Sequence, residues 1–478
     1  MHEDYKRPAT TSSKQKTMVK YRTERDTMGE MKIPATALFG AQTQRAVENF
    51  TITQDVMPWS FIDAVLHIKL AAAKTNGDLG LLTKEQSIRI CTAVDFILER
   101  KPLDQFPVSV YQTGSGTSTN MNVNEVIAKI SSQKDAPISA NDHINLCQSS
   151  NDVIPSAIQI SAARKTTQQL IPALKSLIQT INGFANNHRD VIKTGRTHLM
   201  DALPIKLIDE CKAWSSQLEE CIERLESALP RLMRLPLGGT AVGSGANCHP
   251  EFAKKTIRTL SRILELDFTQ ARSLFKGLSS LDSVVEHMSH LKTCAICMSK
   301  IANDLRFMNS GPHNGFGEIQ LPALQPGSSI MPAKINPVIP EAVLMAAARV
   351  IGNDATMSIA GLGGNFQLNT MLPLAAATIL ESINLLSESA HALSEKTIKG
   401  ITVNRDKLAS ALPHNPILVT SLTPYIGYNK AAEIAKIAEK ERRPLIEVAL
   451  EQTEIPKEKL QQLLDPQHLA DGGLATHT

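Results

Sequence analysis

Apolar side chains at Leu170, Leu174, Leu177, Ile181 and Phe184 are spaced alternately by four and three positions, which predicts one stripe of a long helix from Ala163 onward. The same alternation returns at Val284, Met288, Leu291, Ala295, Met298, Ala302 and Leu305, and Glu341–Ile359 is a third, alanine-rich helical stretch. Stripes of this width are seams for partner helices. Long seamed helices separated by Gly- and Pro-rich loops predict a mainly α fold, with a central long-helix bundle flanked by two smaller domains. The expected division is a flexible tail at 1–20, an N-terminal domain at 21–147, a central bundle at 148–404 and a small C-terminal helical domain at 405–478. The first 20 residues are Lys-, Ser- and Thr-rich, too poor in apolar groups to order themselves, and the small polar residues Asp471 to Thr478 are expected to fray.

Against these helices one segment stands apart. Gly327-Ser-Ser-Ile-Met-Pro-Ala-Lys-Ile-Asn-Pro337 sets adjacent hydroxyls, a lysine and an asparagine between glycine and proline punctuation, so it is a loop that presents donors and suits an anion. A solubilising surface role for Lys334 is disfavoured by Pro332 and Pro337, which restrict the backbone around it. Gln112-Thr-Gly-Ser-Gly-Thr117 precedes a helical run at Met121–Ile130, so its glycines allow backbone N–H groups to approach an anion near a helix N-terminus, with Ser115 and Thr117 adding hydroxyls. A simple turn explains a Gly-x-Gly equally well, and a dinucleotide site is excluded by the missing third glycine and strand–helix–strand frame. Ser149, Ser150 and Asn151 read as an N-cap cluster for a helix opening after Pro155. Thr197 and His198 sit in a glycine–arginine loop, where a lone histidine, one of 13, is more often structural than catalytic.

Composition removes several function classes. Fifty Lys and Arg against 47 Asp and Glu leave a net charge of only +3, without a basic stripe interleaved with aromatics, so nucleic acid is not an expected partner. The aromatic content of 4% points to aliphatic cores. The seven cysteines are odd in number and scattered, which suits a reducing compartment. Cys294 and Cys297 fall inside an apolar helical pattern without a second ligand pair, so packing is expected there rather than zinc. No run of 18 apolar residues exists and the first 20 residues lack a signal-peptide core, so neither a membrane partner nor export is expected. Cytoplasm is the expected location; for a eukaryotic host the alternative is the mitochondrial matrix, which the acidic Glu3 and Asp4 disfavour.

The loop at 327–337, together with Phe39-Gly-Ala-Gln-Thr-Gln-Arg45, Gln112-Thr-Gly-Ser-Gly-Thr117, Gln148-Ser-Ser-Asn-Asp152, Gly195-Arg-Thr-His-Leu-Met-Asp201, Gly238-Gly-Thr-Ala-Val-Gly243 and Lys300-Ile-Ala-Asn-Asp-Leu-Arg306, resembles the fumarase/aspartase superfamily, block for block and in order. The iron-independent class II fumarases resemble it most. The resemblance implies a three-domain subunit whose bundle assembles between subunits into a homotetramer, each active site being built from loops of three chains. It implies His198, Ser328 and Glu341 as catalytic residues: Glu341 orients His198 to activate a water, and Ser328 acts as an alkoxide that removes the proton next to a carboxylate. It implies substrate contacts from Ser115, Gly116, Thr117, Ser149, Ser150, Asn151, Thr197, Ser329, Lys334, Ile335 and Asn336, with a dicarboxylate substrate and no cofactor or metal. From the residues alone, Glu341 reads as a first-turn helix residue facing the dipole.

Ser139, Ala140, Asn141 and Asp142 occupy the place where many fumarases carry His-Pro-Asn-Asp, a secondary carboxylate site, and loss of the histidine is expected to weaken anion binding there. Leu146, Cys147 and Gln367 also depart from common family choices. The runner-up activity is aspartate ammonia-lyase, which shares the loop at 327–341; Ser150, where ammonia-lyases usually carry threonine, favours the hydratase. A silent scaffold is opposed by the presence of the full residue set.

Overall fold

The computed structural model of the chain describes residues 20–473, so the expected tail lies outside the described residues except for Lys20. The chain divides into two compact units. One comprises residues up to Ala157 with Pro236–Ser279 and Asn365–Leu374; the other comprises Ile158–Leu235, Ser280–Gly364 and the residues from Ala375 on.

The first unit opens with an antiparallel hairpin, β1 (Tyr21–Asp26) and β2 (Gly29–Pro34). Helices α1 (Ala41–Asn49), α2 (Trp59–Asp78), α3 (Lys84–Arg100) and α4 (Thr117–Ser131) follow. α2 packs against both α3 and α4 and is buried on nearly every face, from Phe61 to Asn76. A helix without a polar side has no stripe to read. α3 starts on a capping box, Thr83 with Gln86, and ends at Lys101 in the left-handed conformation. α5 (Ser150–Lys165) runs from the first unit into the second.

α5 corrects one expectation: the helix begins at Ser150, and Pro155 lies inside it instead of preceding it. Proline at this sixth helical position lacks the N–H that would donate to the Asn151 carbonyl and so removes one ladder hydrogen bond, after the Val153 N–H has already closed the first turn on the Ser149 carbonyl at 3.0 Å. α4 likewise starts at Thr117, earlier than expected, so Gly116 is its cap and Ser115 lies in the turn just before it. A π-type turn at Thr166–Leu170 joins α5 to α6 (Ile171–Asn187). The predicted stripe survives it: Leu170, Leu174, Leu177 and Ile181 are all 0% exposed, and Phe184 alone sits at the margin.

In the second unit the hairpin β3 (Ile192–Thr197) and β4 (Met200–Lys206) leads into α7 (Leu207–Leu232). The chain returns to the first unit for α8 (Phe252–Leu264), which packs on α2, and α9 (Leu274–Ser279). The long helices α10 (Asp282–Met308), α11 (Val338–Leu362) and α12 (Leu372–Lys396) complete the bundle. α10 packs against α7 and α11, and all seven seam residues from Val284 to Leu305 are at most 1% exposed. The third predicted stretch is longer at both ends than Glu341–Ile359. Polar pins fix the packing: Trp214 Nε1 donates to Asp304 Oδ2 at 2.9 Å, and Asn353 Nδ2 donates to Glu381 and Ser382 at 2.9 and 3.0 Å.

After α12, short helices bury a core of their own around Leu422, Ile434, Leu445, Val448 and Leu460. Asp471 closes the last of them and pairs with Lys206, so the expected fraying does not reach it; residues 474–478 lie outside the described residues. Cys294 and Cys297 lie on α10 with Cys221 of α7 against them, and the neighbouring Cys294 thiol together with burial pushes the Cys221 thiol up to about 12. Such inert thiols serve as packing groups.

Truncating the middle of the α10 seam with Leu291→Ala is expected to cost about 2–5 kcal/mol. Denaturant unfolding followed by fluorescence of the buried Trp214 measures it, and an unchanged midpoint would mean that the seam is not a packed core.

Candidate functional site

Within the first unit, three motif blocks meet. Gly116 caps α4 with φ at 72°, and a Cβ there would lie 2.9 Å from Ile154. Gly114 is needed more strictly, since a Cβ would fall 1.8 Å from the Thr370 carbonyl oxygen. Gln112 Oε1 takes the N–H and hydroxyl of Thr119 at 3.0 and 2.9 Å. Among the described residues the N–H groups of Thr117 and Ser118 have no partner, and the Ser115 and Thr117 hydroxyls lie 2.8 Å apart beside them. Free N–H groups, two hydroxyls and the positive end of the helix dipole form an anion-binding surface.

Ser149 caps α5, its Oγ accepting the Asn151 N–H at 3.2 Å while its own N–H donates to Asp152 Oδ1 at 2.9 Å. Asp152 Oδ2 accepts the N–H groups of Gly238 and Thr240, both at 2.9 Å, and Asn151 Nδ2 donates to the Ala241 carbonyl at 2.8 Å. The blocks at 148–152 and 238–243 are therefore held in register by one carboxylate. Ser150 is buried, with its Oγ 3.4 Å from Asn120 Nδ2. Sequence reasoning quoted Asp152 within a motif but gave it no task, because its partners lie 86 and 88 residues away.

In the second unit, Thr197 ends β3 and pairs with Met200, so His198 and Leu199 form a two-residue hairpin turn with φ of 57° and 60°. This is a hairpin turn where a glycine–arginine loop was expected; the primed turn matches strand twist but places two non-glycine residues in the left-handed region. The root of the hairpin is rigid. Lys193, almost fully buried, pairs with Glu210 at 2.8 Å and with Glu318 at 2.5 Å; Glu318 also pairs with Arg196, whose guanidinium lies 4.3 Å from the Phe316 ring centroid. The tip, from Thr197 to Met200, is exposed. Among the described residues no hydrogen bond or ion pair joins His198 to Glu341 within the chain.

The loop at 327–336 closes on itself. The Gly327 N–H donates to the Lys334 carbonyl at 2.8 Å, Asn336 Nδ2 donates to the Gly327 carbonyl at 2.7 Å, and Lys334 Nζ donates to Asn336 Oδ1 at 2.5 Å. Gly327 is required by space and not by a positive φ, since a Cβ would meet the Lys334 carbonyl oxygen at 2.3 Å. The N–H groups of Ile330 and Met331 both donate to Ser328 Oγ, at 3.3 and 3.0 Å. Two donors on one hydroxyl oxygen stabilise its anion more than its neutral form. Ser329 is exposed beside it. Lys334, Ile335 and Asn336 line a cavity of about 570 Å³ with Arg306, Asn404 and Glu341, the last in the first turn of α11.

The secondary region is a π-type turn, Ala140–Ile144, capped by Ser139: its Oγ accepts the Asp142 N–H at 3.1 Å and donates to Asp142 Oδ2 at 2.8 Å. Ala140 and Asn141 border a cavity of about 610 Å³ where Glu24, Asp26 and Glu125 outnumber Arg25 and Lys129. That surplus of carboxylates opposes a second dianion, in line with the missing histidine.

The lyase family profile matches residues 29–352, and the fumarase C C-terminus profile matches 418–471. The chain is 51% identical, over 95% of its length and 96% of the relative's, to the class II fumarate hydratase of Xylella fastidiosa. It is 50% identical to fumarate hydratase class II 2 of Pseudomonas aeruginosa, covering 96% of this chain and all of that protein. Among solved structures, the class II fumarase of Schistosoma mansoni is 34% identical with a TM-score of 0.91, covering 94% of this chain and 99% of that one. The fumarate lyase:delta crystallin of Brucella melitensis, bound to cobalt, is 38% identical with a TM-score of 0.90, covering 94% and 100%.

Burial raises the Asp152 carboxyl from 3.8 to about 6, against the pull of its N–H donors and of Lys69. The native state then keeps a proton that the unfolded chain has lost, so this contribution to stability is present below the unfolded value and disappears as pH rises through about 6. Any melting-temperature advantage of the wild type over Asp152→Asn is expected to shrink between about pH 4 and pH 6. An advantage that grows across that window would show the carboxylate to be held ionised.

Proposed function

Because the chain belongs to the class II fumarate hydratase family, we infer that it catalyses the reversible, stereospecific hydration of fumarate to L-malate through an enediolate. The observation that carries the reading is Ser328 Oγ receiving two backbone N–H groups in a loop that also presents Lys334 and Asn336. In hydration, a water activated by His198 adds to one alkene carbon and the electron pair moves onto the distal carboxylate. The resulting enediolate is neutralised by Lys334 and by the asparagine amide, and the Ser328 hydroxyl returns a proton to the adjacent carbon. In dehydration the Ser328 alkoxide removes that proton, and its two N–H donors lower the cost of forming the alkoxide.

The remaining contacts divide by position. The α4 cap, with Ser115, Gly116 and Thr117, and the α5 cap, with Ser149, Ser150 and Asn151, offer N–H groups and hydroxyls to a carboxylate; Thr197, Ser329 and Ile335 sit beside the catalytic groups of their own loops. Glu341 orients His198 across a subunit boundary in this reading. No cofactor or metal is called for, because ammonium, amide and N–H groups supply the countercharge.

Assembly as a homotetramer with shared sites belongs to the same proposal. It is supported by α11, where Met345, Ile359 and Leu362 are 69%, 59% and 82% exposed on a helix of the bundle. Apolar surface of that kind favours a partner helix. The reading keeps the three-domain division at 147 and 404, and a place in the tricarboxylic acid cycle in the cytoplasm; no described helix is long and apolar enough to cross a membrane.

Incubation with fumarate, with and without ammonium, is expected to yield malate in both cases; aspartate formed only with ammonium would move the assignment to an ammonia-lyase. Ser328→Ala is expected to lower kcat by roughly 10²–10⁴-fold without changing the oligomeric mass. Co-expressing that variant with His198→Asn is expected to restore part of the activity, and two inactive variants that never complement would place each site within a single chain.

A further inference from the structure

The first unit buries a lysine that none of this chemistry uses. Lys69 lies in the middle of α2 at 1% exposure. Among the described residues its ammonium makes no hydrogen bond to a carboxylate: it donates to Asn145 Oδ1 at 3.1 Å and to Gln148 Oε1 at 3.0 Å. Asn145 Oδ1 also receives Nδ2 of Asn120 at 3.1 Å and of Asn124 at 3.2 Å. The same Asn120 amide reaches Ser150 Oγ at 3.4 Å, and Asn145 Nδ2 returns to the Gln148 carbonyl at 3.1 Å. A continuous polar chain thus leads from the lysine to the residues that open α5.

As packing, this arrangement is costly. Burying an ammonium against neutral amides, with no carboxylate bonded to it, is unfavourable. Burial drives its pKa down to about 7 against the attraction of Asp152. Among the described residues Asn120 Oδ1 and Asn124 Oδ1 are buried without partners, each a further cost. Leu66, Leu70, Ala71 and Ala72 surround the position on the helix, so an apolar side chain would suit it better. Groups kept at such cost mark functional sites more often than structural ones.

We propose that Lys69 is a positioning residue for the dicarboxylate-binding end of the site: by clamping Asn145 and Gln148 it fixes Ser150 and Asn151 where a substrate carboxylate meets them. The proposal rests on the dicarboxylate reading above. The lysine acts on affinity and not on the proton transfers, which belong to the histidine and the loop serine.

The test uses the full-length assembled protein, with succinate as a dicarboxylate that does not react and with fumarate turnover. For Lys69→Met the expected result is a Kd for succinate and a KM for fumarate raised by about tenfold or more, with kcat changed by less than about threefold. The melting temperature is expected to match or exceed the wild type, because the substitution replaces a buried charge by an apolar group of similar length. Asn145→Ala is expected to weaken binding similarly, and the double variant to bind no worse than the weaker single, since both break one chain.

Unchanged Kd and KM, or a lowered melting temperature with kcat reduced and KM intact, would overturn the proposal. Should Lys69→Met fail to fold, Gln148→Leu removes one of the two acceptors, and wild-type succinate affinity in that variant overturns it equally. A wild-type protein that binds succinate without hydrating fumarate would overturn the hydratase reading and leave the lysine test standing.

Discussion

Charge is buried at a few points of this fold, and each buried carboxylate sets the backbone around it. In the first unit the Asp152 carboxylate sits at 0% exposure and collects N–H groups from Ser149, Gly238 and Thr240, so three backbone positions far apart in sequence take their places from one side chain. Removing an ionised group from water is offset only when its lone pairs are satisfied by aimed donors. The loops that supply those donors are thereby fixed; at the start of α4 the N–H groups of Thr117 and Ser118 have no partner among the described residues. Glu318 does the same in the second unit, gathering Lys193 and Arg196 at the root of the hairpin that carries His198.

A rigid root permits a strained tip. His198 and Leu199 both take positive φ, as do Thr240 and Ala333, and each of these non-glycine positions lies within a motif block. Left-handed backbone costs of order 1 kcal/mol per residue and persists only where the surroundings over-determine it. The surroundings here are the buried ion pairs and the self-closing loop at 327–336, in which Gly327, Lys334 and Asn336 bond to one another. Stability drawn from bundle and core is thus spent on holding hydroxyls and N–H groups in place before any substrate arrives, which is what electrostatic catalysis requires.

The helices of the bundle were legible because each hides one stripe: Val284 to Leu305 reads the same in sequence and in burial. α2 was not, because a helix buried on nearly every face carries little periodic signal, and nothing in the sequence singled out Lys69 within it. Pro155 misled: the cap cluster at Ser149–Asn151 was legible, but a proline is commoner at a helix start than five residues inside one, so the helix was expected to open after it. The hairpin turn at His198-Leu199 lacked the Asn-Gly signal that would have announced it. For the site, motif blocks named the candidate substrate contacts, but the groups that hold those residues, Asp152, Asn145 and Glu318, act across long sequence separations that spacing cannot express.

What the single chain leaves unfinished is itself informative. The Thr197–His198 tip is exposed, Ile330 in the loop at 327–336 is 84% exposed, and α11 shows Met345, Ile359 and Leu362 to water. A monomeric enzyme would gain by covering these groups with its own segments, since each fully buried Leu, Ile or Met is worth about 1.5–3 kcal/mol. Leaving them bare is tolerable where the covering surface comes from another copy, and a helix bundle supplies such surfaces at no cost in new elements. The exposed apolar side chains of α11 and the exposed tips at Thr197–His198 and Ile330 lie in the bundle helices and the segments that connect them, so in the homotetramer proposed above assembly and completion of the site would be one event.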